Sequence, residues 1–336
     1  MSREARRAGA VPPRPPHDAA VARAGRGRSW RWAAAFLGAL VLAASSTACR
    51  DLGPRSELQA LADSAAWVNP VSLGPPVLLA AGDVARCGQA GDDTTAALLD
   101  TLAGTVLALG DQAYGRGSAA EYRDCYDPSW GRHRARTRPA PGNHEYGSGG
   151  AAPYFAYFGD AAGPAGRGYY SMDIGAWHVV SLNSNVAMHP GSAQAQWLQA
   201  DLAAHPSRCT LAFWHHPRFS SGKHGSDPDV APLWDVLADA GADVVLAGHD
   251  HVYERFARMS ADGAVDDVNG IRSFVVGTGG ADLYPFRDVP VAGSEVRYNE
   301  RFGVLRLTLR DDGYAWAFIP VGGGAPIDAG EEQCHD

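Results

Sequence analysis

Five short apolar runs in this chain end in donor-type side chains, and in four of them a glycine stands just before the donor. The runs at 77–81, 105–109, 137–140, 210–214 and 243–247 lead into Gly82-Asp83, Gly110-Asp111-Gln112-Ala113-Tyr114, Gly142-Asn143-His144-Glu145, His215-His216-Pro217 and Gly248-His249-Asp250-His251. Apolar runs of four or five residues bounded by turn signals read as buried strands. In open α/β sheets, ligands bind outside the carboxyl ends of the strands. Five strands lying side by side would therefore bring these five loops to one spot, and a glycine before the donor lets the backbone turn sharply there. Few folds can satisfy that pattern.

The rest of the chain fits a layered arrangement. Helices are expected at 92–102, with Asp and Thr as caps at its start, and at 192–204 and 230–240. The segments 168–173 and 177–183 read as paired strands turning at Gly175. Beyond residue 252 the pattern is mostly β, with strands at 271–276, 304–309 and 314–320. There is no repeat of fixed period. Strands alternate with helices in the first two-thirds and dominate the end, which predicts an α/β sandwich with helices covering the sheets. Apolar residues make up 46% of the 336 and charged residues 20%, so a real core is available. The 40 glycines and 22 prolines then signal loops rather than disorder.

The first 48 residues read as an export segment. Residues 1–31 are rich in Arg and Pro, 32–44 form a short apolar run, and small residues lead to Cys49. A basic region, a short apolar region and small residues before a cleavage point describe a secretory signal, and the run falls short of the ~20 apolar residues of a membrane span. The alternative is an uncleaved N-terminal anchor. The segment resembles a bacterial lipoprotein signal, which implies lipidation at Cys49. It departs from that pattern at Ser46, where an aliphatic residue is usual, and plain cleavage is the other reading. Residues 49–75 read as a linker and 76–336 as the folded domain. An exported chain is expected to be periplasmic or at the cell surface, touching membrane only through such an anchor.

Apart from Cys49, the chain carries Cys87, Cys125, Cys209 and Cys334. Four cysteines in an exported protein suggest two disulfides, with three pairings open. Cys87–Cys125 is favoured because both fall in loops after strands placed side by side; Cys209–Cys334 would then pin the C-terminal end. Free thiols are the alternative. The net charge of −8 includes eight arginines against only Glu4 and Asp18 in the first 48 residues, so the body is more acidic still. That argues against nucleic acid as a partner but not against a small phosphorylated substrate, since bound cations supply local positive charge.

Carboxylates, imidazoles, an amide oxygen and a phenol suit cations such as Zn, Mn and Fe. Seven such side chains, Asp83, Asp111, Tyr114, Asn143, His215, His249 and His251, are too many for one ordinary ion but fit two that share a carboxylate. Two metals ~3.5–4 Å apart can clamp both oxygens of an in-line phosphoryl displacement.

In this order the five blocks resemble the calcineurin-like metallophosphoesterases, and Gly110-Asp111-x-x-Tyr114 with Gly248-His249-Asp250-His251-Val252-Tyr253-Glu254-Arg255 resembles the purple acid phosphatase branch. The resemblance covers about residues 77–256. It implies an α/β/β/α metallophosphoesterase sandwich in which Asp83, Tyr114 and His251 hold a first ion, typically ferric, and Asn143, His215 and His249 hold a second, divalent one (Zn, Mn or Fe), with Asp111 as the bridge. Ala85 stands where non-tyrosine relatives have a His, which fits Tyr114 taking that place. The family's His-x-Pro pattern puts the ligand at His215 and His216 behind it; the sequence alone leaves the two open. His144 and His224 are expected to face the substrate as acids on the leaving oxygen. Glu254 and Arg255 are expected to brace the last loop. Lys223, the single lysine, is either a phosphate contact or a solvated loop residue.

The implied reaction is hydrolysis of a phosphate monoester by direct attack of metal-activated water. A phosphodiesterase or nucleotide hydrolase with the same metals is the second reading, since substrate choice lives in loops such as 147–168 and 281–300. An inactive, envelope-anchored binding lipoprotein is a third. Other residues read as structural: His178 as packed or at a strand edge, His133 as exposed, the arginines at 132, 134, 136 and 138 as a solvated loop, and Trp177, Trp197, Trp214 and Trp234 as packing. Gly277-Thr278-Gly279-Gly280 reads as a turn under the site.

Overall fold

A computed structural model describes residues 74–335. The export segment, Cys49 and nearly all of the linker lie outside the described residues. Among the described residues no helix is long and apolar enough to cross a membrane.

The strands in chain order are β1 (Val77–Ala81), β2 (Ala85–Arg86), β3 (Thr105–Leu109), β4 (Ala113–Tyr114), β5 (Thr137–Ala140), β6 (Tyr170–Ile174), β7 (Trp177–Ser181), β8 (Cys209–Phe213), β9 (Val244–Ala247), β10 (Tyr253–Met259), β11 (Ile271–Val276), β12 (Ser294–Tyr298), β13 (Gly303–Arg310), β14 (Gly313–Pro320) and β15 (Asp328–Gln333). One sheet has the order β15-β14-β13-β1-β3-β5 and the other β12-β10-β11-β9-β8-β7-β6; β2 and β4 form a small ribbon of their own. The parallel pairs are β1 with β3 and β3 with β5 in the first sheet, and β7 with β8, β8 with β9 and β9 with β11 in the second. These central strands are mostly apolar because both of their faces are covered, with Arg138 of β5, His178 of β7 and Arg272 of β11 among the exceptions.

Leu78, Leu107, Leu305 and Phe318 of the first sheet share one core with Val179, Leu211, Leu246 and Phe274 of the second, and Leu99, Tyr126, Trp130 and Tyr154 of the outer helical segments join it. A second core lies on the far side of the second sheet, where Val180, Ala212 and Val245 meet Leu198, Trp234 and Leu237 of the helices Ala193–Ala204 and Ala231–Asp239. The layering is helix, sheet, sheet, helix, as expected. Ser192 caps its helix by accepting from the Ala195 amide.

Several details depart from the sequence reading. The helix expected at 92–102 is Gly91–Asp100 and has no side-chain cap; Thr95 instead donates to the Gly279 carbonyl and accepts from the Trp130 indole. His133 is buried rather than exposed, with Nε2 3.2 Å from the Ala96 carbonyl and 3.1 Å from an Asp100 oxygen. The arginines around it lie largely on the short helix Trp130–Arg136. Arg136 donates to the carbonyls of Leu99, Leu102 and Gly104, the unpaired end of the neighbouring helix. Cys125 lies in the wide helical turn Tyr122–Tyr126, not in a loop after a strand.

Besides the two-residue strands β2 and β4, three strands were not anticipated: β10, β12 and β15. Their sequences, YERFARM, SEVRY and DAGEEQ, mix charge into positions that face other protein groups. Arg255 of β10 pairs with Asp328 of β15 at 2.7 Å and with Glu295 of β12. Arg272 of β11 pairs with Glu295 at 2.7 Å and with Glu332 of β15, and Arg258 reaches Glu332 at 3.4 Å. Tyr253 and Trp316 also donate to Asp328, and Tyr314 to Glu332. A charged network thus ties the edge of one sheet to the other where an apolar seam would be usual.

Both favoured disulfides close, Cys87–Cys125 with Cα atoms 5.2 Å apart and Cys209–Cys334 at 5.5 Å. Two closed bridges fit an exported protein in an oxidising compartment. The second spans 125 residues, so Cys334→Ser is expected to lower stability by about 4 kcal/mol through the freed unfolded chain, read as a lower urea midpoint.

Asp328 gives a pH-dependent prediction. Burial pushes its carboxyl up, but the bonds from Arg255, Tyr253 and Trp316 more than reverse this, so it sits below the usual carboxylate range. A depressed folded value means its stabilisation is complete above the ordinary carboxylate range near pH 4 and is lost as pH falls through the folded value. Asp328→Asn is therefore expected to cost about 2 kcal/mol at pH 7 by leaving Arg255 with Glu295 alone. The gap to the parent protein should narrow in urea titrations run at progressively lower pH below 4.

Candidate metal centre

The five donor loops do meet. β1, β3 and β5 are parallel neighbours, so Asp83, Asp111 and Asn143 leave the same end of the first sheet. β8 and β9 are parallel neighbours in the second sheet and deliver His215, His249 and His251. Tyr114 arrives by the small ribbon, where Arg86 of β2 pairs with Tyr114 of β4 and sets the tyrosine beside the Asp83 loop.

The donors are closely spaced. Tyr114 donates its hydroxyl to Asp83 Oδ1 at 2.7 Å and lies 2.9 Å from His251 Nε2, which is 3.3 Å from the same carboxylate oxygen. On the other side, His215 Nε2 is 3.1 Å from Asn143 Oδ1, 3.3 Å from Asp111 Oδ2 and 3.2 Å from His249 Nδ1. Asp83, Asp111 and His215 each offer a ligand atom within 4.8 Å of the others, which brings the two groups against each other.

The second ring nitrogens explain why these faces point inward. His215 Nδ1 is 2.9 Å from the Leu109 carbonyl and His251 Nδ1 is 3.1 Å from the Asp282 carbonyl. A carbonyl only accepts, so each Nδ1 carries the proton and each Nε2 of the neutral ring presents a lone pair. Acceptors therefore face acceptors: a lone pair at His215 Nε2 confronts an amide oxygen, a carboxylate oxygen and another imidazole. Buried like-signed partial charges of this kind need a cation. The side chains show the same demand. Without a metal ion a proton on Nε2 can answer that demand: burial alone would lower His215, yet Asp111 and Asp83 push it up to about 9, and a cation would take that proton's place. Burial pushes Asp111 up, but His215 pulls its carboxyl well below the usual range. The donor set fits hard-to-borderline metal ions.

The backbone is strained to achieve this. Asp83, Asp111 and His249 have φ of 62°, 51° and 70°, in the left-handed region that non-glycine residues seldom occupy. Each costs ~1 kcal/mol or more and persists where surroundings fix it. Here the Asp83 amide donates to Gly110 O, the Asp111 amide to Glu145 Oε2, and the His249 amide to Asp83 Oδ2. The glycines leave room: a Cβ at Gly110 would run into the His215 ring, and one at Gly142 into the Asp111 carboxylate. Gly277 and Gly279 close under the site as read, with a Cβ at either meeting the backbone of the Asp250 or Gly82 turn.

His144 and His224 flank the donors on opposite sides. The His144 ring lies 4.3 Å from that of Tyr114, its Nδ1–H donates to the Gly115 carbonyl, and its Nε2 is 3.7 Å from Asp111 Oδ2. The His224 ring lies 4.5 Å from that of His249. His216 packs against His249 at 4.4 Å and its Nδ1 is 2.7 Å from Ser184 Oγ; His215, His216 and His249 each offer a ligand atom within 4.8 Å of the others, so the spacing keeps both His215 and His216 within reach of an ion. Burial and the neighbouring His215 lower His216 to about 3. Glu254 braces the loop that carries His224, accepting from the Ser221 amide and the Ser294 hydroxyl. Arg255, expected beside it, points instead into the charged network at β15.

Three residues escaped the sequence reading. Glu145 accepts from the amides of Asp111, Gln112 and Gly142, locking two donor loops together; burial and the nearby Asp111 push it up to about 7. Asp250 accepts from the amides of His224 and Gly225, which sets the His224 loop over the centre. Both sit next to recognised donors, so adjacency was a usable signal. Tyr284 had none: its ring stacks on His251 at 3.9 Å, with Lys223 Nζ 4.4 Å from its face.

Comparison with known proteins agrees with this geometry. A family model described as calcineurin-like phosphoesterase matches residues 60–253. Purple acid phosphatase 22 of Arabidopsis thaliana is 34% identical over 152 residues, which is 43% of this chain and 34% of that protein. The purple acid phosphatase PPD1 from yellow lupin seeds superposes with a TM-score of 0.67 at 18% identity, over 77% of this chain and 54% of that one. GAP50, the anchor in the inner membrane complex of Plasmodium, superposes with a TM-score of 0.63 at 12% identity, over 78% and 90% of the two chains. The matches to the curated relatives span about a third of those proteins' length. With its five donor loops and its matched residues taken together, the chain belongs to the calcineurin-like phosphoesterase family, and within it resembles the purple acid phosphatases.

Proposed function

We propose that this protein is a two-metal phosphoesterase that hydrolyses small phosphate monoesters. The observation that carries this is the convergence of seven donor-type side chains into two adjoining groups, and it supports Asp111 as the carboxylate that the two ions would share. Asp83, Tyr114 and His251 would hold one ion and Asn143, His215 and His249 the other, with the iron-plus-divalent pair of the purple acid phosphatases as the expected load. Bound there, the ions supply Lewis acidity toward phosphoryl oxygens and lower the pKa of water.

The chain's own residues supply the rest. His144, with Nδ1–H tied to Gly115 O, keeps Nε2 for the substrate and is part-exposed on the open side of the cluster. His224, fixed through its amide by Asp250, faces the same space from beyond His249. Either imidazolium can give a proton to the leaving oxygen. No serine or cysteine nucleophile is needed. The acidic body supports a small substrate over nucleic acid. The signal-like segment ending at Cys49 supports export with a lipid anchor.

The decisive experiment uses a chromogenic phosphate monoester with Zn, Mn and Fe supplied in turn. The parent protein is expected to turn over, and Asp111→Asn to lose bound metal and activity together; a variant that keeps both would remove the bridge. Turnover of a diester or nucleotide with no turnover of the monoester would replace the monoester assignment. His144→Ala and His224→Ala are expected to lower kcat by roughly 10²-fold each while metal content stays at the parental level. Iron-loaded protein is expected to absorb visible light through a tyrosinate–ferric transition, and Tyr114→Phe to abolish that band. A band unchanged in Tyr114→Phe would overturn the placement of iron at Tyr114.

A further inference from the structure

A second cluster of metal-type side chains lies away from the donor loops. His178 sits near the start of β7, at the end of the sheet opposite the strand termini that carry the centre. Asp201 and His205 stand four residues apart at the end of the helix Ala193–Ala204, so their side chains share one face. We propose that His178, Asp201 and His205 form a peripheral binding site for a borderline divalent cation such as Zn2+, separate from the phosphoesterase centre.

The geometry is that of a supported ligand set. Each of the three residues offers one ligand atom, and these atoms lie within 4.8 Å of one another. His178 Nε2 is 2.8 Å from Asp201 Oδ2. The two imidazole rings are stacked, 12° apart with centroids 4.7 Å from each other, so the exposed His205 ring must turn out of the stack before both in-plane lone pairs meet one ion. His205 Nδ1 is 2.9 Å from the Asp201 carbonyl, which can only accept, so the proton is on Nδ1 and Nε2 of the neutral ring is a free lone pair. Two imidazoles and a carboxylate are a donor set that suits zinc, with a fourth position left for water.

Supporting residues are in place as well. Asp173 Oδ1 is 2.8 Å from His178 Nδ1, the carboxylate–histidine arrangement that orients a ligating imidazole. Ser171 donates to Asp201 Oδ1 at 2.8 Å, which fixes the carboxylate and leaves Oδ2 turned to the histidines. His178 and the Asp201 side chain are buried, while the His205 side chain is 44% exposed and gives an entry path. The alternative is an ion triad in which an imidazolium at His178 bridges Asp173 and Asp201. That triad accounts for three of the residues and uses His205 only as a bond to the Asp201 carbonyl and a ring stacked on His178. Cation binding would displace the proton that His178 Nε2 shares with Asp201, and it would clamp the helix to the strand.

The test is the metal content of the full chain after equilibrium dialysis against buffered Zn2+, comparing the parent with His205→Ala and Asp201→Asn. His205 is exposed enough for its variant to fold. The expected result is one zinc equivalent fewer per chain in each variant, phosphoesterase turnover unchanged, and a zinc-dependent rise in Tm present only in the parent. Equal zinc content in all three proteins, with no Tm difference, would overturn the proposal and leave the triad as the whole explanation. Because the readout is the difference between parent and variants, it stands whatever substrate the central site hydrolyses.

Discussion

The hydrogen bond from His215 Nδ1 to the Leu109 carbonyl joins the end of β8 to the end of β3 across the seam between the two sheets, and the donor cluster rests on it. The bond sets the tautomer of His215, turns its Nε2 toward Asp111 and Asn143, and fixes how closely the two sheets approach at this end. Neighbouring bonds hold the same seam. The Gly82 amide donates to Val276 O, and the Gly279 amide to Gly82 O. Such short cross-sheet bonds require residues without side chains, which is why glycines line the seam. The strained φ values at Asp83, Asp111 and His249 follow from the same constraint. Each donor must turn back over its own strand end to reach a centre that sits between two layers.

The other requirement is charge. Asp83 and Asp111 are buried side by side, and neither is paired with an arginine or the lysine among the described residues. A histidine-rich lining and an array of amides offset this burial, and Glu145 behind the site adds a further carboxyl held mainly by backbone donors. The site is thus built as an anionic, acceptor-rich cage. Its affinity for cations comes from the same groups that make it costly to fold, a balance expected where function rather than stability selects the residues.

At the far edge of the sandwich the layers are joined differently. Arg255, Arg258 and Arg272 meet Glu295, Asp328 and Glu332 between β10, β11, β12 and β15. Aromatic hydroxyl and indole groups complete the carboxylates' bonding. Removing one partner strands the other, so the network is sensitive to single changes although its net worth against an apolar seam is modest. It fixes the position of β15, a strand whose own residues have little preference for extended structure.

The layered α/β class and the order of the donor loops were legible in the sequence, as were the seven donor-type side chains that the fold brings together. Period, apolar runs and Gly-led turns are local signals, and local chemistry suffices to write them. The strands β10, β12 and β15, the burial of His133 and the outward path of Arg255 were not legible, because the charged residues there are satisfied by partners 23 to 75 positions away. Nor could the sequence show that His215 Nδ1 meets the Leu109 carbonyl or that Tyr284 stacks on His251, since both depend on which segments the fold brings together. These points were settled by the folded arrangement, because a hydrogen bond or a stacked ring is a fact about two segments brought together, and a sequence pattern reports on one segment at a time.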